Sequence, residues 1–514
     1  GVAAAAVEPY SESEAGIIRN GVFAALPDAF GISLGYTNDP TTFKNRSTPA
    51  PSTRSMACKA QTSGRIYLHS GPRTELHEII RQEYARHQDR AVPRNTLRQA
   101  VQGMLDTFAY QNFDAAAGEY TNRCCRPPRE TEMRPWRLVT EIGWTGGGVL
   151  AYPLVLCRDA LGADAEAPLA AAMSGEQLFD RIADAYNENS GLLNDLMAPN
   201  AAGSQVNGWW TGYGLVKDCH CAYTVGSAVH YLTKTMDYLH QNGKPCPAKW
   251  MDAAQKVLHT VMDLQRADGA FGYTYSTQER KVLDWSGFAG CWFAPALVYL
   301  YRLTGEERCL HSAEKALDYY HTFVKDLNCY GTPMDTWKAV DEEGNLAFMR
   351  GSRLLYEQTG KAEFLQYMKD SAGYEFLWRY GYKTYPEHTP LNQGWSACGG
   401  AVTSVSNPHI HPMGVIIDTD LRYLARVTGD GYYASRAADS AAWMLQCLEL
   451  YPAATGYGRY GILSERWCPS DGLDVERFSD GRPFSSWFSH NLWASACVLE
   501  AACELLLEIE HKKG

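Results

Sequence analysis

Apolar residues recur at helical spacing on both sides of a Thr-Gly corner in the middle of the chain. Leu297, Leu300 and Leu303 precede Thr304-Gly305, and Leu310, Ala313, Leu317 and Tyr320 follow it. A period of three to four marks the buried face of a helix. Glycine at the corner suits the left-handed position that ends one helix before the next begins. The corner returns at Thr359-Gly360 and Thr428-Gly429, each followed by aromatic residues, Phe364 and Tyr432-Tyr433. A helical hairpin repeated with unequal connectors fits this pattern.

Extending the period along the chain predicts twelve helices. They lie at roughly 94–112, 146–161, 174–188, 222–241, 247–266, 290–303, 307–326, 345–358, 361–379, 413–427, 430–450 and 487–510, with ends uncertain by about two to four residues. Links of a few residues alternate with long connectors at 113–145, 189–221, 267–289, 327–344, 380–412 and 451–486. Short links force neighbouring helices to run antiparallel. All the long connectors then emerge at one rim, and the helix after each points its free N–H groups there. Helices after long connectors, such as 147–161 and 290–303, are apolar nearly all round. Those after short links, such as 249–266 and 361–379, carry charge on one face. Six inner and six outer helices make an all-α (α/α)6 toroid.

The first part of the chain lacks this period. Gly64–His69 suits a short strand, and Arg73–His87 a linking helix with Leu76, Ile79, Ile80 and Tyr84 on one face. The expected division is an irregular or β-containing N-terminal extension over 1–92, then a toroid catalytic domain over 93–514.

A net charge of −11 over 514 residues argues against a nucleic-acid surface. No run of 18 apolar residues predicts a membrane span. The 15 cysteines follow no framework spacing, which favours reduced thiols and a cytoplasmic location. The 31 Tyr, 14 Trp and 16 Phe gather often in Gly-rich connectors, a composition suited to stacking on sugar rings as well as to ordinary packing.

The Thr-Gly corner, followed by Tyr or Phe and an Ala-rich helix, resembles the (α/α)6-toroid (six-hairpin) glycosidase-like superfamily over about residues 94–510. That superfamily includes six-hairpin glycoside hydrolases, sugar epimerases and toroid polysaccharide lyases. The resemblance implies a carbohydrate substrate held at the rim of the long connectors.

Each connector supplies candidates. The first carries Glu141 and Trp144 before a Gly-rich helix start; an acid there is also favoured simply by the helix dipole. The second carries Trp209-Trp210, Asp218, His220 and Tyr223. Its Cys219-His220-Cys221 run invites a zinc reading, with Cys291 or Cys468 completing the set, but adjacent residues seldom all reach one ion. The expectation is no metal and no cofactor. The third offers Asp284 beside Trp285, where aromatic neighbours would desolvate a carboxyl and suit it as a general acid. A plain helix cap is the alternative. The fourth offers Asp335 and Trp337, and the fifth His409 and His411 in a Gly- and Pro-bracketed loop that also holds Asn407. Asp418 is expected to line the pocket or pair with Arg422. The last offers Trp467 and Trp487.

The leading expectation is a glycoside hydrolase with Asp284 and Asp335 as the catalytic carboxylates, Glu141 and Asp218 standing next. Trp144, Trp209, Trp210, His220, Tyr223, Trp285, Trp337, His409, His411, Trp467 and Trp487 would bind the substrate. A lyase or epimerase using Asn407, His409, His411 and Tyr223 is the second expectation, and a non-catalytic carbohydrate-binding toroid the third.

Overall fold

Each Thr-Gly corner is built the same way. The threonine hydroxyl donates to the carbonyl four residues back: Thr304 to Leu300 (2.8 Å), Thr359 to Leu355 (2.7 Å) and Thr428 to Leu424 (2.6 Å). The same oxygen accepts from the N–H two residues ahead, at Glu306, Lys361 and Asp430. Glycine between them takes the left-handed φ, 73°, 65° and 70° at Gly305, Gly360 and Gly429. One hydroxyl thus closes an outgoing helix and starts the next, and only glycine turns the corner without a Cβ penalty.

The chain was described from a computed structural model. The described residues are 2–3, 10–13, 16–19, 21–26, 29–34, 67–68, 71, 75–86, 90–125, 134–137, 142–143, 147–194, 219–332, 338–383, 396–404, 407–448, 450, 460–461, 463–467 and 486–512. The N-terminal segment contributes backbone hairpins, Tyr10–Ser13 with Gly16–Arg19 and Gly21–Leu26 with Ala29–Leu34.

In chain order the helices are α1 (Leu76–Tyr84), α2 (Leu97–Thr107), α3 (Gly148–Leu161), α4 (Glu166–Ala171), α5 (Gly175–Asp184), α6 (Ala222–Gln241) and α7 (Ala248–Asp263). They continue with α8 (Phe293–Thr304), α9 (Glu307–Lys325), α10 (Glu343–Thr359), α11 (Ala362–Trp378), α12 (Asp418–Thr428), α13 (Gly431–Cys447) and α14 (Leu492–His511). The twelve expected helices appear within a few residues at most ends, and short α4 is additional. None of the described helices is long and apolar enough to cross a membrane.

Packing closes a ring. α3 contacts α6, α6 contacts α8, α8 contacts α10, α10 contacts α12 and its leading turn Met413–Ile417, that unit contacts α14, and α14 returns to α3. Outside it, α5 lies on α3, α7 on α6 and α8, α9 on α8, α11 on α10, α13 on α12, and α2 on α14 and α3. This is an (α/α)6 toroid. Most of the inner helices are buried nearly all round, as in α6, where every residue from Ala222 to Asp237 is buried, while α12 buries only Asp418, Asp420, Leu421 and Leu424.

The long connectors are not structureless. An antiparallel six-stranded sheet runs Arg134–Arg137, Asn122–Cys125, Ser486–His490, Arg466–Trp467, Asn407–His411, Ala401–Ser404. It joins the connectors that lead into α3, α14 and α12. A three-stranded sheet of Cys219–Cys221, Thr274–Ser276 and Val282–Asp284 joins those leading into α6 and α8. A bridge from Asp341 to Ser404 ties in the α10 connector. Strand pairing therefore holds the connectors together at the end of the ring where the inner helices begin.

α1 docks on the outer surface. Arg81 forms a two-pronged pair with Asp430 (2.7 and 2.9 Å), and the Tyr84 hydroxyl donates to Asp439 (2.5 Å). His77 fills the space over Gly373 of α11, where a Cβ would lie 1.9 Å from its ring.

Candidate active site

The inner-helix N-termini bring polar groups to the sheet-covered end. The densest group is a run of three acids at the start of α10, Asp341-Glu342-Glu343, all buried. Asp341 caps the helix: its carboxylate accepts from the N–H of Thr332 (3.1 Å) and of Gly344 (3.3 Å). Burial pushes its carboxyl well above the usual range, and the neighbouring Glu343 charge adds to this. Glu343, 8% exposed, is hydrogen-bonded to the Tyr223 hydroxyl in the first turn of α6. That hydroxyl also lies 3.8 Å from the Met413 sulfur. Burial, reinforced by Glu343, keeps Tyr223 protonated far above the usual tyrosine range.

An indole packs on Tyr223 of this pair, and the strand Asn407–His411 brings an imidazole to the same end of the ring. Trp292, at the entrance to α8, meets the Tyr223 ring edge-on at 5.9 Å. Its indole N–H is buried and has no partner among the described residues. His411 ends the strand Asn407–His411 and shares a 3.2 Å hydrogen bond between Nδ1 and the Thr403 hydroxyl. Its ring lies 6.0 Å from that of Trp493 in the first turn of α14.

Behind Glu343 sits a buried ionic cluster. Arg379, at the end of α11, donates to Glu375 (2.7 and 3.0 Å), Asp418 (2.8 Å) and the Gly414 carbonyl (2.8 Å). Glu342 completes it: burial and the Glu375 charge push its carboxyl well up. Burial likewise raises Asp418 to about 6, against the pull of Arg379. Three carboxyls around one guanidinium cannot all be charged at modest cost, so the cluster retains protons. Gly414 makes room for it, since a Cβ there would lie 2.3 Å from a Glu342 carboxylate oxygen.

Asp284 stands at the same end, on the strand Val282–Asp284. It pairs with Lys338 (2.6 Å) and accepts from the Ser286 N–H (2.8 Å), so the capping role expected as the alternative is present. Lys338 also lies over the Tyr273 ring at 4.8 Å. Asp341 and Asp284 both act on the Tyr273 hydroxyl, whose pKa burial raises first of all.

The other expected residues fall as follows. Tyr223 joins the Glu343 group, and His411 stands at the same end of the ring, hydrogen-bonded to Thr403. Trp285 lies under Arg266, 5.1 Å from the guanidinium, which also reaches Tyr319 of outer helix α9. His220 is fully buried with Nε2 at 2.9 Å from the Ser190 hydroxyl. Its neighbours Cys219 and Cys221 occupy the same strand, where successive side chains point to opposite faces. Trp467 is buried on its two-residue strand, paired with Ile410. The side chains of His409 and Trp487, and all of Glu141, Trp144, Trp209, Trp210, Asp218, Asp335 and Trp337, lie outside the described residues. Asp418 pairs with Arg379, while Arg422 turns to Glu508 at 2.8 Å. Glu343, Glu342, Trp292 and the Arg379 cluster were not singled out from the sequence. The signal available was three consecutive acids two residues before the apolar Leu346-Ala-Phe-Met run.

No protein-family model matches the chain, and no curated protein matches it in sequence. Solved structures do match the fold. A D-mannose isomerase aligns over 80% of this chain and 97% of its own, with a TM-score of 0.52 at 10% identity. Cellobiose 2-epimerase from Spirochaeta thermophila aligns over 86% and 100%, with a TM-score of 0.51 at 12% identity. A family 76 glycoside hydrolase from a bovine Bacteroides thetaiotaomicron strain aligns over 88% and 81%, with a TM-score of 0.51 at 12% identity. All are (α/α)6 toroid enzymes, the class this chain shares by fold.

Proposed function

We propose that the chain is a carbohydrate-active enzyme that hydrolyses an O-glycosyl bond at the end of the toroid where the inner helices begin. Glu343 carries this reading. It is a nearly buried carboxyl in the first turn of an inner helix, fixed by a neutral tyrosine on which Trp292 packs. A carboxyl so placed suits proton transfer to or from a sugar oxygen. Hydrolysis needs a second carboxylate across the bond, and Asp284 is assigned that role. One acid protonates the leaving oxygen while the other activates water or attacks the anomeric carbon. Trp292 offers its indole N–H, which has no partner among the described residues, to a sugar hydroxyl, and His411 orients another. The substrate-class test is incubation with aryl glycosides and oligosaccharides, read as release of reducing sugar.

A second reading, sugar epimerisation or isomerisation, is favoured by the pairing of Tyr223 with Glu343, with His411 at the same end of the ring, which suits proton abstraction beside a carbonyl. Two of the fold matches, an isomerase and an epimerase by name, are compatible with it. Free aldoses in deuterated water separate the readings: deuterium gained at carbon 2 without bond cleavage selects this one. An ultraviolet-absorbing unsaturated product would select a lyase instead.

A further inference from the structure

The toroid has a polar cavity at the far end of the inner ring from the Glu343 group. Its volume is about 160 Å³. Every inner helix contributes to it: Tyr152 (α3), Lys234 (α6), Tyr299 (α8), Arg350 (α10), Thr419 (α12) and Glu504 (α14). It lies beside the last turns of α6 and α8, at the end of the ring where the short links run. Exposed Gln241 stands at its mouth. The space is too small for a sugar chain, since pockets for drug-sized ligands start at roughly 300 Å³.

Its walls carry four cations, each already paired: Lys234 with Glu500 and Glu504, Arg302 with Asp237 and Glu357, Arg350 with Asp420, and Arg353 with Glu357 and Asp420. The Glu504 charge is already answered. It accepts from Lys234 (2.8 Å), Tyr152 (3.1 Å) and Thr419 (2.6 Å), and these contacts, with Arg350 nearby, hold its carboxyl well below the usual range in spite of burial. Asp237 accepts from Gln241 (2.8 Å) and Arg302 (3.4 Å). Two donors remain. Arg350, 5% exposed, gives Nε to Asp420 (2.8 Å) and one terminal nitrogen to the Ile416 carbonyl (2.9 Å). Its Nη1 has no partner among the described residues. The Tyr299 hydroxyl, on a residue 5% exposed, has none either. Both donors face the open space of the cavity, where a ligand can reach them. A guanidinium nitrogen and a hydroxyl beside an ammonium are the donor set of an oxyanion site.

We propose that this cavity binds a small oxyanion, inorganic phosphate or a short carboxylate, and so ties the six inner helices together. The test titrates the intact protein with phosphate and, separately, with malonate. Melting temperature is followed against potassium chloride of equal ionic strength. A saturable rise with either ligand is expected, because a ligand of the folded state alone stabilises it. Phosphate alone would identify a tetrahedral oxyanion, malonate alone a carboxylate. Tyr299→Phe removes a hydroxyl with no partner, so the unliganded melting temperature should hold while affinity falls about tenfold or more, as for a lost bond to a charged group. No saturable rise with either ligand would overturn the proposal. So would an equal affinity in Tyr299→Phe.

Discussion

Arg379→Met removes one cation from a site with no water to replace it. The guanidinium and the Glu375 side chain are each 0% exposed, and Asp418 is 3% exposed. Methionine keeps most of the volume, so the loss is electrostatic. Breaking a buried pair by removing one partner costs about 3–5 kcal/mol, because the remaining charge is left unanswered. The pH dependence follows from the acids. Asp418 is raised from 3.8 to about 6 and Glu342 is raised well above its usual value. A carboxyl raised in the folded state contributes stability that is fully present below its unfolded pKa and is lost as pH rises through the folded one. For Asp418 that window runs from about 4 to 6 and corresponds to roughly 3 kcal/mol. Without Arg379 these acids hold their protons to still higher pH. The deficit of the variant should therefore be largest near pH 8 and shrink toward pH 5, where Asp418 and Glu342 are largely protonated in both proteins. Urea unfolding of both proteins at the two pH values reads the difference. An equal deficit at pH 5 and pH 8, or none at pH 8, would refute the reasoning.

Asp284→Asn should leave unfolding within about 1 kcal/mol of the parent, since its Lys338 pair is partly exposed and the cap to Ser286 survives. Glycoside hydrolysis should fall on the order of a hundredfold or more; a fully active variant would remove Asp284 from the mechanism. Gly414→Ala places a methyl group 2.3 Å from a Glu342 oxygen and 3.0 Å from the Ala401 side chain. Overpacking of this kind costs about 1–3 kcal/mol, so a melting temperature equal to the parent's would show that the cluster yields easily.

The helical framework was legible because it is local. Thr304-Gly305, Thr359-Gly360 and Thr428-Gly429 carry their own hydrogen-bond chemistry within six residues, and the apolar period of α6 and α8 needs no partner to be seen. The rim sheets were not legible, since Asn122–Cys125 pairs with Ser486–His490 from the other end of the chain. Two-residue strands such as Arg466–Trp467 are also too short to show alternation. Reading for carboxylates beside tryptophans drew attention to Asp284, Asp335 and Glu141. It passed over Asp341-Glu342-Glu343, because acids at a helix start ordinarily answer the helix dipole in water. Arg379 was counted on the charged outer face of its helix and is instead buried. Its partner Asp418 lies 39 residues away, a separation that periodicity does not register.

Glu343 is the proposed proton-transfer group of a sugar site at the sheet-covered end of the ring. Glu343→Gln tests this most directly, because glutamine keeps the shape and still accepts from Tyr223 but exchanges no proton. With circular dichroism and melting temperature matched to the parent, turnover of whichever glycoside or aldose the parent accepts should fall by on the order of a hundredfold or more, with KM little changed. A folded Glu343→Gln protein that turns over its substrate at the parental rate would contradict the account.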